Sequence, residues 1–161
     1  FKPYLYKTTD YGKTWSLITN GIEDEHFTRV VREDPKRKGL LYAGTETGMY
    51  ISFNDGAKWE KFQMNLPIVP ITDLTIKDNN LIVATQGRSL WIIDDLTVLH
   101  QLDDAKKSAN AILYKPRESY RTKGNVARRP SKTEGTNLAN GVITHFYLKD
   151  FAEKDSVALT Y

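Results

Sequence analysis

The 161-residue sequence contains no cysteine. That excludes a disulfide framework and thiolate chemistry within it, while leaving the compartment open. No apolar run approaches the ~18 residues that a membrane-crossing helix requires. Histidine is scarce: His26, His100 and His145 stand apart, without a second His or a carboxylate at metal-ligand spacing, and read as surface or packed side chains rather than ligands. There is no Gly-rich phosphate loop and no nucleophile elbow. Excess charge is small too. Lys and Arg number 23 against 20 Asp and Glu, a net +3, and the surplus gathers in one segment, which is no footprint of nucleic-acid binding. Nothing here calls for a cofactor or a metal.

What the chain does have is a signature carried twice. Thr8-Thr9-Asp10-Tyr11-Gly12-Lys13-Thr14-Trp15 and Ser52-Phe53-Asn54-Asp55-Gly56-Ala57-Lys58-Trp59 share a small hydroxyl, an Asp or Asn two residues on, then Gly and Trp. The period of about 44 residues is that of a blade-like unit. Asp10 or Asn54 can fold its oxygen onto N–H groups of its own turn, and Gly12 or Gly56 supplies a positive φ. Each Trp is expected to plug the next strand into apolar neighbours, so that Trp15→Ala or Trp59→Ala would cost ~3–5 kcal/mol.

This pattern resembles the Asp-box, or bacterial neuraminidase repeat, of sialidase-like, xyloglucanase-like and sortilin-like β-propellers. The first copy matches nearly throughout; the second has Asn54 at the Asp position and Lys58 where Thr or Ser is usual. The resemblance implies an all-β fold: a fragment of a multi-bladed β-propeller, about two four-stranded blades, followed by a linker and the start of a β-sandwich. A complete propeller needs ~4–8 blades. The chain is therefore expected to belong to a longer polypeptide or assembly: Phe1 is not an initiator Met, Tyr4-Leu5-Tyr6 enters directly as a strand, and Val157–Tyr161 stops inside one.

In order, Tyr4–Thr8 and Thr14–Thr19 read as strands around the first Asp-box. With Thr14–Thr19 as an edge strand, Phe27–Arg32, Leu40–Gly44 and Met49–Phe53 account for one four-stranded blade, and Lys58–Gln63 is the outer strand of the next unit. Ile71–Lys77 and Leu81–Thr85, joined at Asp78-Asn79-Asn80, continue that unit. Leu40–Thr45 aligns with Asn80–Thr85, and Tyr50 with Trp91 once one residue is inserted. In this third copy Ile93-Asp94-Asp95-Leu96 stands where the signature should be and Thr97–Leu102 replaces the Trp strand, so the propeller is expected to end at residue 102. Gln86–Asp95 is similar to the closing segment of large bacterial glycosyl-hydrolase-like propeller proteins, in which a Gly-Arg turn and an aromatic strand ending in paired Asp precede a downstream domain. Residues 103–135 read as a basic linker, opening with a short Ala/Lys-rich stretch of helical character at Asp103–Asn110. Its cluster of Arg117, Arg121, Lys123, Arg128, Arg129 and Lys132 is a solvated face or a contact surface for an acidic partner. Residues 136–161 supply a hairpin of Val142–Lys149 with Val157–Tyr161.

Blade geometry sorts the loops. The Asp-boxes lie on the outer rim at one end, so Thr8, Asp10, Gly12, Trp15, Ser52, Asn54, Gly56 and Trp59 are assigned structural roles, with Asp55 in solvent. The other end collects Glu23, Asp24, Glu25, His26, Glu46, the Asn65–Pro70 connection, Gln86 and Arg88, and in the resembled families ligands lie there, around the axis. A glycosidase would need two opposed carboxyl groups ~5–5.5 Å apart for retention or ~6.5–9.5 Å for inversion, and only Glu23–Glu25 and Glu46 are acidic candidates. The reading is a secreted, periplasmic or envelope protein that binds a glycan, peptide or protein. The alternative is a xyloglucanase- or sialidase-like glycoside hydrolase whose catalytic carboxylates lie mostly elsewhere.

Overall fold

The computed structural model describes residues 1–102, 109–120, 141–150, 152 and 156–160. The chain divides into two compact units, Phe1–Leu96 and Thr97–Tyr161. The described residues form an all-β structure of antiparallel sheets with one short helix.

The first unit begins with a hairpin of β1 (Tyr6–Lys7) and β2 (Ser16–Leu17). A four-stranded meander follows: β3 (Thr28–Glu33), β4 (Leu41–Thr45), β5 (Met49–Ser52) and β6 (Glu60–Lys61), each paired with the next. A three-stranded meander completes the unit, with β7 (Ile71–Lys77), β8 (Asn80–Thr85) and β9 (Leu90–Ile93). β4 and β5 are buried throughout. They are covered on both sides, and apolar residues therefore occupy nearly every position instead of alternate ones.

The two meanders share several bonds although their sequences differ. Each has a register shift in its first ladder, between Thr28 and Val30 and between Ile71 and Asp73. Thr45 Oγ1 donates to Gly48 O at 2.9 Å, and Thr85 Oγ1 to Ser89 O at 2.6 Å. The N–H of Glu46 reaches Phe27 O at 3.1 Å, as that of Gln86 reaches Pro70 O at 2.9 Å. Ala43 opposes Tyr50 as Val83 opposes Trp91, the alignment expected from the sequence. The β7–β8 turn places Asp78 and Asn79 at φ 50° and 68°, the left-handed pair that a two-residue hairpin needs.

The sheets of this unit pack face to face. Ile22, Leu41, Ala43, Tyr50 and Trp59 form one cluster, with Leu5 of the first hairpin against it. On the other side Gly44 lets the second meander close in: a Cβ there would sit 2.6 Å from Ile71 Cγ2 and 2.8 Å from Val30 Cγ1, inside any tolerable contact. The core expectation holds for Trp59, 1% exposed, and fails for Trp15, 59% exposed. The physical reason is coverage. Trp59 lies under the segment leaving β2 and donates Nε1–H to Ile18 O at 2.7 Å, whereas among the described residues no equivalent segment crosses Trp15.

Thr97–Leu102, which replaces the Trp strand of the third copy, carries the short helix α1 (Thr97–Gln101), in which Gln101 Nε2 donates to Thr97 O at 3.1 Å. One further expectation is corrected. In the second unit the hairpin expected between Val142–Lys149 and Val157–Tyr161 is not seen among the described residues, where 156–160 carry no strand. Its core β11 (Phe146–Leu148) pairs instead with β10 (Ala111–Leu113), in the register Ala111 with Leu148 and Leu113 with Phe146. The bonds from Tyr114 N to His145 O and from Lys149 N to Asn110 O extend that ladder at both ends. The Ala111–Tyr114 run supplies that partner, with Tyr114 buried. Most of the helical stretch expected at Asp103–Asn110, and the basic residues Arg121, Lys123, Arg128, Arg129 and Lys132, lie outside the described residues.

Candidate functional site

The two signature turns sit at the same end of their sheets and bond alike. Thr8 Oγ1 accepts the N–H of Gly12 at 2.8 Å and donates to Asp10 Oδ1 at 2.9 Å. Ser52 Oγ accepts from Gly56 at 3.0 Å and donates to Asn54 Oδ1 at 3.0 Å. Asp10 Oδ1 accepts the Thr14 N–H, as Asn54 Oδ1 accepts that of Lys58, both at 2.8 Å. Tyr11 and Gly12, like Asp55 and Gly56, have positive φ. Asp10 also accepts the Thr14 hydroxyl at 2.7 Å; this bond and the Thr14 N–H hold its carboxyl below the usual range. These side chains are consumed by their own turns. Asp55, expected in solvent, is about half-exposed and ion-paired with Lys7.

The opposite end gathers the start of β5, the end of β6, the connection before β3 and the β4–β5 and β8–β9 turns. There a cavity of about 290 Å³ is lined by Glu23, His26, Tyr50, Lys61, Gln63 and Ile68, among others. Lys61 Nζ lies 2.5 Å from Glu23 Oε1, and His26 Nε2 lies 3.2 Å from Glu23 Oε2. His26 Nδ1 and the Tyr50 hydroxyl are 2.7 Å apart. In a neutral ring the carboxylate takes the Nε2–H, so Nδ1 accepts the hydroxyl proton of Tyr50. Hydrogen bonds thus run from Tyr50 through His26 to Glu23, with Lys61 on the far oxygen. The Lys61 ammonium holds the Glu23 carboxyl below the ordinary value, and Glu23 in turn raises Lys61. Burial is the main cause that raises the Tyr50 hydroxyl.

Of the residues singled out in the sequence, only Glu23, His26 and, from the Asn65–Pro70 connection, Ile68 meet in this cavity. Asp24 pairs with Lys2 at 3.4 Å, and Glu46 with Arg29 at 2.5 Å. Glu25 is exposed. Gln86 and Arg88 are exposed on the β8–β9 turn, where Arg88 O accepts the indole N–H of Trp91 at 2.8 Å. Tyr50, Lys61 and Gln63 were missed because they read as strand residues. The cross-strand pairing of Tyr50 with Lys61 follows from the hairpin register set by the second signature turn, and that register was the available signal. The side-chain amide of Gln63 donates to Leu66 O and Pro67 O, both at 2.9 Å, and fixes the loop carrying Ile68.

Among the described residues no helix is long and apolar enough to cross a membrane. Comparison with known proteins assigns no family: no protein-family model matches the chain, and no curated protein matches it.

Proposed function

We propose that this chain is part of an Asp-box β-propeller protein that binds a glycan at the end of its sheets opposite the Asp-boxes, in the cavity between Glu23, His26, Tyr50 and Lys61. The observation that carries the reading is the state of the carboxylates there. Glu23 is held by Lys61 and His26, and Glu46 by Arg29. A general acid of a glycosidase needs a raised pKa, whereas Glu23 is lowered. A fixed carboxylate–ammonium pair beside a histidine and the apolar Ile68 suits hydrogen bonding to sugar hydroxyls over an apolar ring face. The volume suits about one sugar ring, a small site compared with a peptide groove.

The test is an NMR titration of the chain with neutral mono- and disaccharides. Chemical-shift changes at Glu23, His26 and Lys61 are expected, and Lys61→Ala should weaken binding at least about tenfold. Titration with no response at these residues would sink the reading. Hydrolysis of aryl glycosides that is lost on Glu23→Gln would establish the glycosidase alternative in its place.

A further inference from the structure

The ionisable side chains around the loop-end cavity divide by the pH range in which they change charge. The Lys61 ammonium keeps the Glu23 carboxyl below its usual range, and Glu23 keeps Lys61 above its own, so that pair stays ionised from about pH 5 to 8. Histidine is the side chain that ordinarily changes charge within that span. His26 is faced by Glu23 from its own connection and by Tyr50 from β5, with Lys61 of β6 on the far oxygen of Glu23. Thr47, Gln63 and Ile68, which also line the cavity, carry no charge.

A neutral His26 ring has both nitrogens committed. Nε2–H goes to Glu23 Oε2 at 3.2 Å, and Nδ1 accepts the Tyr50 hydroxyl proton at 2.7 Å. Tyr50 is 2% exposed, and its oxygen also receives the Glu23 N–H at 3.5 Å. Protonation of the ring turns Nδ1 into a donor. That N–H then takes the Tyr50 oxygen, and the phenolic proton must turn elsewhere. Among the described residues the other group bonded to that oxygen is the Glu23 N–H, itself a donor, which cannot receive it. Tyr50 and His26 both line the cavity, so the acceptor open to the phenolic proton is an oxygen of whatever occupies it. A buried hydroxyl left without an acceptor is unfavourable. A ligand oxygen at this place therefore stabilises the protonated ring.

We propose that ligand binding in this cavity takes up a proton at His26, and that the Tyr50 hydroxyl is the donor that then reads an oxygen of the ligand. The proposal rests on the glycan reading of the cavity and adds a direction to it. The complex holds more protons than the free chain, so a neutral sugar binds more tightly as pH falls from 8 to 5.5. The proton taken up comes from solvent and stays on Nδ1. The phenolic proton stays on Tyr50, whose hydroxyl burial raises above its ordinary value. Tyr50 touches the ligand, and His26 acts through it as a positioning residue.

The test is an NMR titration with glucose, galactose, cellobiose and lactose at pH 5.5 and 8. The tightest binder should have a Kd roughly fivefold lower at pH 5.5, the worth of about one hydrogen bond. Tyr50→Phe keeps the ring that fills the core and removes the donor, so its Kd should not change with pH. His26→Gln removes the titrating ring and should be equally flat. His100 and His145 remain in both variants and lie in the other unit. Calorimetry of the unsubstituted chain at pH 6.5, in two buffers of different ionisation heat, should show proton uptake on binding. Binding without proton uptake, or with the same Kd at both pH values, overturns the inference and leaves the glycan site standing. A pH dependence that survives Tyr50→Phe overturns it as well, because charge alone would then be acting. Absence of binding at both pH values overturns the glycan reading and this inference with it.

Discussion

Asp10 and Asn54 perform the same backbone task with different chemistry. Both accept the N–H four residues on at 2.8 Å, but only Asp10 is ionisable, and only its turn adds a hydroxyl, from Thr14. The Thr14 hydroxyl, and after it the Thr14 N–H, favours the charged form and depresses the Asp10 carboxyl below its ordinary 3.8. A depressed folded-state value means that stabilisation is fully present above the unfolded value and is lost as pH falls through the folded one. Asp10→Asn, which copies the second signature, should therefore lower Tm at pH 7 and lower it progressively less as pH falls below about 4. Calorimetric scans of both proteins from pH 7 to 2 check this. A Tm difference that stays constant across the range would show that the charge contributes nothing. Because the bonds of Asp10 end inside its own turn, glycan binding should survive the substitution.

Elements decide burial that a motif alone does not. The positions of the signatures, the strands around them and the match between the two meanders were legible, because turn residues and hydrophobic runs are local properties. Trp15 and Trp59 hold the same place in their signatures, yet only Trp59 has the chain after β2 laid over it, with Gly21, at φ 97°, against its carbonyl oxygen. Burial is set by the element that arrives from elsewhere, and no window around Trp15 contains it. The same holds for β11, whose partner β10 lies far upstream, and for the cavity, where Tyr50 and Lys61 meet only through strand register. In dilute solution Trp59→Ala should cost about 3–5 kcal/mol. Trp15→Ala, which gives up an exposed ring and one bond from Nε1 to Gly12 O at 3.1 Å, should cost no more than about 1 kcal/mol. Urea denaturation of the two variants separates them, and equal losses would mean that Trp15 is covered as Trp59 is.

At the scale of the whole molecule, the described core belongs almost entirely to one unit. Apart from Tyr114, every buried apolar residue among the described ones lies within Phe1–Leu96. That unit is closed by its own last residues. Leu96 is fully buried and donates its N–H to Asn79 O at 2.8 Å, while Asp95 receives the Asn79 side-chain amide at 2.9 Å and donates its N–H to Asn80 Oδ1 at 3.0 Å. The β7–β8 turn thus clasps the exit of β9 in the place where a third signature turn is missing. A chain ending at residue 96 retains this clasp; one ending at residue 94 loses it together with a buried leucine. Residues 1–96 alone should therefore unfold cooperatively in urea, and residues 1–94 should be less stable by about 2–5 kcal/mol. If 1–96 shows no cooperative transition, the unit depends on the rest of the chain and the clasp is not its boundary. If 1–94 matches 1–96, Leu96 does not carry the closure that its burial implies.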